Sequence, residues 1–269
     1  MKLKPLAHAR VLAFLAIFLV SSARRIVALD PTSHISQYGH SVWRVQDGYF
    51  GGAPFAITQT TDGYIWVGTN NGLFQFDGVR FVRWNAQSGE ALPSFFIFSL
   101  LGARDGSLWI GTSEGLAHLV NGHLTVYEKG SAVGPIMEDR AGKIWFGRNR
   151  PGDQTGPLCH VLEGEVHCYG SKDGLDISIA AGIAQDASGY LWVGSSRTLV
   201  RWRPNASGTA KVYRPPLLQT SDAYAGVGPV AQAADGSLWV GIDVPGPGGG
   251  LQHLIDGTLK PFRARNLNG

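Results

Sequence analysis

Cys159 and Cys168 are the only cysteines among the 269 residues, and they flank Glu163-Gly164 symmetrically. Counted outward from a two-residue turn, they face each other at a non-hydrogen-bonded position, where Cα atoms lie about 4.5 Å apart and a bridge can close. The pair predicts a disulfide that staples one hairpin in an exported protein, not a redox centre. His160 and His167 oppose each other on the hairpin's other face. Two imidazoles can begin a metal site, but no third ligand stands nearby, and the pair reads as exposed and incidental with no metal expected. The run Pro245 to Gly250 is rich in glycine yet lacks the Lys-Ser/Thr that ends a phosphate loop. Recurring Asp-Gly pairs could offer carboxylates to calcium, but turn chemistry accounts for them. No nucleophile, base and orienting acid stand at an informative spacing. The chain is therefore expected to be non-catalytic by itself and to need no cofactor.

The elements that would hold such groups repeat along the chain. A turn, a hydrophobic residue, Trp, another hydrophobic residue and Gly recur around Trp66, Trp109, Trp145, Trp192 and Trp239, at intervals of 36 to 47 residues. Each copy divides into four short segments of strand-forming residues separated by Asx-Gly or similar turns, which predict two-residue hairpins of the primed type with positive φ at both centres. Four-stranded meanders at this period are β-propeller blades. The fold class expected is all-β, a β-propeller of four-stranded antiparallel blades with five repeats at about 52–84, 95–127, 133–169, 180–213 and 227–263. The five tryptophans are structural: each fills the wedge between neighbouring blades, and the glycine two residues on lets backbone pass closely.

Composition agrees with many short strands. Gly 37 and Trp 8 are high while charged residues are 16%, and a net charge of +3 without a basic stripe excludes nucleic acid as a partner. Lys2, Lys4 and Arg10 precede the apolar run Val11 to Val20 and the small residues Ser21-Ser22-Ala23, the pattern of a secretory signal, here taken as residues 1–28 with Ala28 as the alternative end point. A periplasmic or extracytoplasmic location follows, with tethering to the membrane in a longer parent protein. Ser41 to Val45 reads as a fourth strand without a blade of its own, and the fifth repeat has its own fourth strand in Thr258 to Arg263. The set of blades is thus expected to be incomplete, with a closed five-blade ring as the alternative.

Connections between strands two and three and between blades vary most in length, and in an up-and-down blade both emerge on one face. Variable loops on a rigid repeated scaffold are where ligands bind. Arg148, Arg150, Asp153, Asp173, Asp222, Tyr224 and Asp243 lie there and are the candidate ligand contacts.

The stretch Ile65 to Phe76 with its preceding Asp62-Gly63, the stretch Leu108 to Leu116, and the opening Ile35 to Trp43 resemble the repeats and mature start of two-component regulator propeller proteins. The likeness covers residues 35 to 265 and is most specific in the first two copies. It implies the ligand-sensing domain of a two-component receptor, taking a small molecule or oligosaccharide and allowing a homodimer within the full-length receptor, with any kinase or other output module outside this chain. Two alternatives remain open. One is a propeller lyase similar to streptogramin lyases, whose repeats follow Trp with Phe-Thr-Glu where these read Trp-hydrophobic-Gly. The other is a periplasmic protein-interaction scaffold.

Overall fold

The computed structural model describes residues 41–85, 90–149, 155–204, 210–215, 218–219, 226–244 and 249–262. The segment assigned to a signal, and the opening Ile35 to His40, lie outside them. The chain divides after Trp43, and Arg44 onward forms one compact unit. No helix among the described residues is long and apolar enough to cross a membrane.

Five four-stranded antiparallel sheets make up this unit. The first contains β1 (Pro54–Gln59), β2 (Ile65–Thr69), β3 (Gly72–Phe76) and β4 (Phe81–Arg83). The second contains β5 (Ile97–Gly102), β6 (Leu108–Thr112), β7 (Gly115–Val120) and β8 (His123–Lys129). The third contains β9 (Ala132–Glu138), β10 (Ile144–Asn149), β11 (Leu158–Leu162) and β12 (Glu165–Tyr169). The fourth contains β13 (Gly182–Gln185), β14 (Leu191–Gly194), β15 (Leu199–Trp202) and β16 (Lys211–Tyr213), and the fifth β17 (Gly226–Gln232), β18 (Leu238–Asp243), β19 (Gly250–Ile255) and β20 (Thr258–Pro261). Within each sheet the strands follow chain order. First strands of successive sheets pack on one another, β1 on β5, β5 on β9, β9 on β13 and β13 on β17. The sheets therefore converge on their first strands, which is the arrangement of propeller blades.

One junction recurs. Leu100 of the second blade packs in the cluster around Trp66 of the first, Ile136 in that around Trp109, Ile183 in that around Trp145, and Val230 in that around Trp192. The motif glycine makes the approach possible. A Cβ on Gly147 would stand 2.2 Å from the Ala180 carbonyl oxygen of the next blade, and on Gly68 2.5 Å from Ile97. The indole N–H groups of Trp66, Trp145 and Trp192 donate to Thr60, Asp139 and Asp186 at the end of their own first strands, at 3.0, 2.9 and 3.1 Å.

Two expectations are corrected. The first turn of each blade is not a two-residue primed turn. Only its glycine has positive φ, between 82° and 90°, and Gly63 N–H to Thr60 O with Thr60 N–H to Tyr64 O makes it a type I turn completed by a left-handed glycine. The Asp62 carboxylate accepts from the Tyr64 N–H and the Thr60 hydroxyl, so it is employed inside the turn. Primed geometry appears at the last hairpin, where Asn121-Gly122, Glu163-Gly164 and Asp256-Gly257 all have positive φ. Secondly, Ser41 to Val45 is not a strand: 41–44 have no regular structure and Val45–Asp47 is a 3-10 turn.

Replacing Gly147 by Ala should cost roughly 1–3 kcal/mol, because the added methyl meets backbone that cannot rotate away. Gly241→Ala, which meets only the Pro229 ring at 3.0 Å, should cost less. Urea unfolding of the two variants measures the difference, and equal costs would contradict the close-approach role.

Candidate functional site

The meander puts connections from strand two to three, and from one blade to the next, at the same end of every blade. This face is uneven. In the first two blades the second turn is a pair of residues held by threonine: Thr69 Oγ1 donates to Gly72 O at 2.9 Å and accepts from Asn71 N–H, and Thr112 does the same with Gly115 O and Glu114 N–H. Arg148 takes the threonine's place in the third blade, where the loop is longer. Its side chain is 3% exposed, and its guanidinium donates to Glu128 Oε1 at 3.2 Å, to Gly156 O at 2.8 Å and to Thr155 Oγ1. Arg148 thus anchors its own loop to the fourth strand of the preceding blade. Asp173 is exposed, and its Oδ2 accepts from Gly170 N–H at 3.0 Å, fixing the start of the connection to the fourth blade. Asp243 is exposed at the end of β18. Among the described residues, no hydrogen bond or ion pair joins these three to one another. Arg150, Asp153, Asp222 and Tyr224 lie outside the described residues.

Near the convergence of the sheets, the first strands carry a feature that loop lengths do not reveal. Register shifts fall between Pro54 and Ala56 in β1, Ile97 and Ser99 in β5, Val133 and Ile136 in β9, and Val227 and Val230 in β17. A β-bulge re-aims the side chain it inserts. The inserted residues are Phe55 in the first blade and Phe98 in the second, and at the same position the third and fifth have Gly134 and Gly228. Phe55 and Phe98 are 53% and 39% exposed although they lie on innermost strands, and both contact Phe96, with ring centroids 5.0 and 4.7 Å apart. A Cβ on Gly134 would meet nothing closer than 3.9 Å, and on Gly228 nothing closer than 3.7 Å. The starts of the first strands, on the loop face, therefore carry exposed aromatics on two blades and bare backbone on the third and fifth. The signal was in the sequence, as Pro-Phe-Ala-Ile, Ile-Phe-Ser-Leu, Val-Gly-Pro-Ile and Val-Gly-Pro-Val, but it shows only once the blades are aligned on their first strands.

The third strand holds a second unforeseen pattern. Opposite the five blade tryptophans stand Gln75, His118, His160, Arg201 and His253. His118 stacks on Trp109 at 3.9 Å and His253 on Trp239 at 4.5 Å, while Arg201 is paired with Asp186 at 2.7 Å. Cys159 and Cys168 are paired in register and bridged, with Cα atoms 4.0 Å apart. His160 pairs with His167, ring centroids 5.4 Å apart, but it is 2% exposed and not at the surface, because its strand face turns toward Trp145 at 4.7 Å. Among the described residues neither of its ring nitrogens has a hydrogen-bond partner. Among the described residues no cluster of three or more His, Cys, Asp or Glu could hold a metal ion.

Burial drives the His160 pKa down from 6.5 to about 4, aided by the charges of Lys143 and His167 and opposed by Asp139. Burial lowers His118 as well, opposed by Asp105. A depressed folded-state pKa means that the unfolded chain takes up the proton first. Stability is then full above pH 6.5 and is lost as pH falls toward 4. Loss of roughly 2–4 kcal/mol from His160 alone is expected by full protonation. Denaturant midpoints from pH 7 to pH 4 should fall steeply for the native chain and less for His160→Gln; parallel slopes would show that His160 is not the titrating group.

Residues 48–71 match the family described as two component regulator propeller. No curated protein matches the sequence. By structure the chain is similar to the extracellular domain of a hybrid two component system from B. thetaiotaomicron, at 17% identity and a TM-score of 0.58, covering 74% of this chain and 26% of that one. It is similar to virginiamycin B lyase from Staphylococcus aureus at 18% identity and a TM-score of 0.59, covering 80% and 71%. It is also similar to PorZ, a surface component of the type-IX secretion system of Porphyromonas gingivalis, at 16% identity and a TM-score of 0.53, covering 80% and 35%. The chain thus spans about a quarter of the length of the first of these. At such identities the likeness is one of fold.

Proposed function

We propose that this chain, which carries a two component regulator propeller repeat, is an extracytoplasmic sensor that binds a small molecule or oligosaccharide on its loop face without transforming it. The observation that carries this reading is the unevenness of the first-strand starts, where Phe55, Phe96 and Phe98 offer flat apolar surface to a ring and Gly134 and Gly228 leave bare backbone on the third and fifth blades. Ligand sites are concave and mostly apolar with a few polar groups to fix orientation, and Asp173 and Asp243 on the surrounding loops can supply these. The family matched at residues 48–71 supports a role in signalling, and the likeness to an extracellular domain supports the location.

The lyase reading has support of its own. A histidine-to-alanine variant of virginiamycin B lyase is catalytically inactive, and that fold is similar to this one. In this chain, however, His118 and His253 are stacked on blade tryptophans, His160 packs tilted against Trp145, and His167 stacks on His160. These imidazoles serve packing and lie within strands, away from the loops where a substrate would sit.

Calorimetric titration of the purified chain with a panel of oligosaccharides should give saturable binding by at least one member. Phe98→Ala, or Gly134→Phe to fill the bare side, should weaken that binding about tenfold without changing stability. Cleavage of the streptogramin quinupristin by the chain, with no sugar bound, would transfer the assignment to the lyase.

A further inference from the structure

The first blade shows what its tryptophan requires. The Thr60 hydroxyl accepts from the Trp66 indole N–H at 3.0 Å and donates to Asp62 Oδ1 at 2.6 Å, so one hydroxyl bridges the buried ring and the carboxylate that shapes the turn. In the third and fourth blades the carboxylates of Asp139 and Asp186 accept from the indole directly. The second blade keeps the turn aspartate of the first: Asp105 Oδ1 accepts from the Ser107 N–H at 2.9 Å and from the Ser107 hydroxyl. It has Ala103, however, where the first blade has Thr60. Trp109 is 5% exposed, and among the described residues its N–H has no acceptor. A buried donor left unmade is costly, and His118, stacked nearly parallel at 3.9 Å, holds the ring in the absence of that bond.

Beside Ala103 the second and third blades leave a groove of about 610 Å³ on the face opposite the long loops, with Trp109 and Asp105 in its wall. One water takes about 30 Å³ of liquid, so the groove has room for a much larger occupant. Ile144 and Val161 line it with apolar surface. Its rim is charged and held in place. Arg104 Nε donates to Glu138 Oε1 at 2.8 Å, and the same guanidinium reaches the Asp139 and Arg140 carbonyl oxygens. Arg140 in turn donates to Asp186 O at 2.9 Å and to Gln232 Oε1 at 3.3 Å. A lone anion here meets Asp105 and Glu138, and a lone cation meets Arg104 and Arg140. A neutral molecule rich in hydroxyl groups can donate to the carboxylates and accept from the guanidinium groups.

We propose that this groove is a second binding site, on the face opposite the loops, for a neutral polyhydroxylated ligand of the size of one sugar ring. One of its hydroxyls accepts from the Trp109 N–H and donates to Asp105, supplying in the second blade what the Thr60 hydroxyl supplies to Trp66 and Asp62 in the first. Its C–H surface lies toward Ile144 and Val161, and its remaining hydroxyls meet the rim formed by Glu138 and Arg140. The first blade thus specifies the chemistry of the occupant, and the alanine in the second leaves the place for it.

Titration of the isotope-labelled whole chain with glucose, galactose, mannose and myo-inositol, followed through the indole N–H signals in proton–nitrogen NMR spectra, tests this. At least one of these probes should move the Trp109 signal saturably, while the signals of Trp66, Trp145 and Trp192, whose acceptors are internal, stay in place. Ala103→Thr restores the hydroxyl of the first blade. With no probe present it should shift the Trp109 signal toward that of Trp66, and it should weaken binding of the probe about tenfold by occupying its place. Asp105→Asn, which keeps an oxygen for the Ser107 N–H but removes the charge, should weaken binding as well. If no probe moves the Trp109 signal, water alone serves the indole and the proposal is overturned. Binding undiminished in Ala103→Thr overturns it too. Probes that bind by calorimetry without moving Trp109 also count against this groove, and they leave the loop-face reading standing.

Discussion

Everything in this molecule depends on the seating of one blade's first strand against the preceding blade's tryptophan and glycine. Burial of a large aromatic drives the contact, and removing such a side chain from a core typically costs about 3–5 kcal/mol. The glycine sets its distance, since a single methyl group would collide with the neighbouring backbone at Gly147 and with Ile97 at Gly68. Hydrogen bonds from the indole to Thr60, Asp139 or Asp186 then fix the ring's orientation. A contact of this kind concerns only adjacent units, so stability accumulates blade by blade as in other repeat architectures. It also frees the loop ends from structural duty, which is why they vary in length while the strands do not.

The fold was largely legible because the junction is written in consecutive residues. Trp-hydrophobic-Gly needs no alignment to be seen, and the period follows from it. The pairing of Cys159 with Cys168 could likewise be counted outward from Glu163-Gly164, since a two-residue turn leaves only one register. Turn types were harder. Asp62-Gly63 and Asn121-Gly122 look alike, but in the first the aspartate carboxylate is spent inside the turn and only the glycine turns left-handed.

The site was less legible, for two physical reasons. A β-bulge has no residue signature of its own, so nothing sets Phe55 and Phe98 apart until pairing shows one extra residue opposite the glycine. Loop charges, in turn, say nothing about whether a group is free. Arg148 looked like an available cation, yet it is buried and committed to Glu128, Thr155 and Gly156. His160 posed the converse problem: alternation placed it away from the disulfide, but only the packing of the blades shows that this side is the buried one.

The most direct measurement of the repeated junction is hydroxyl-radical footprinting of the dilute chain, read residue by residue by mass spectrometry. The account predicts rapid oxidation at Trp239, Leu251 and Ile57 and slow oxidation at Trp66, Trp109, Trp145 and Trp192, each of which has a following blade laid over it. Rapid oxidation of all five tryptophans would contradict it, because the first four would then lack the blade laid over each of them.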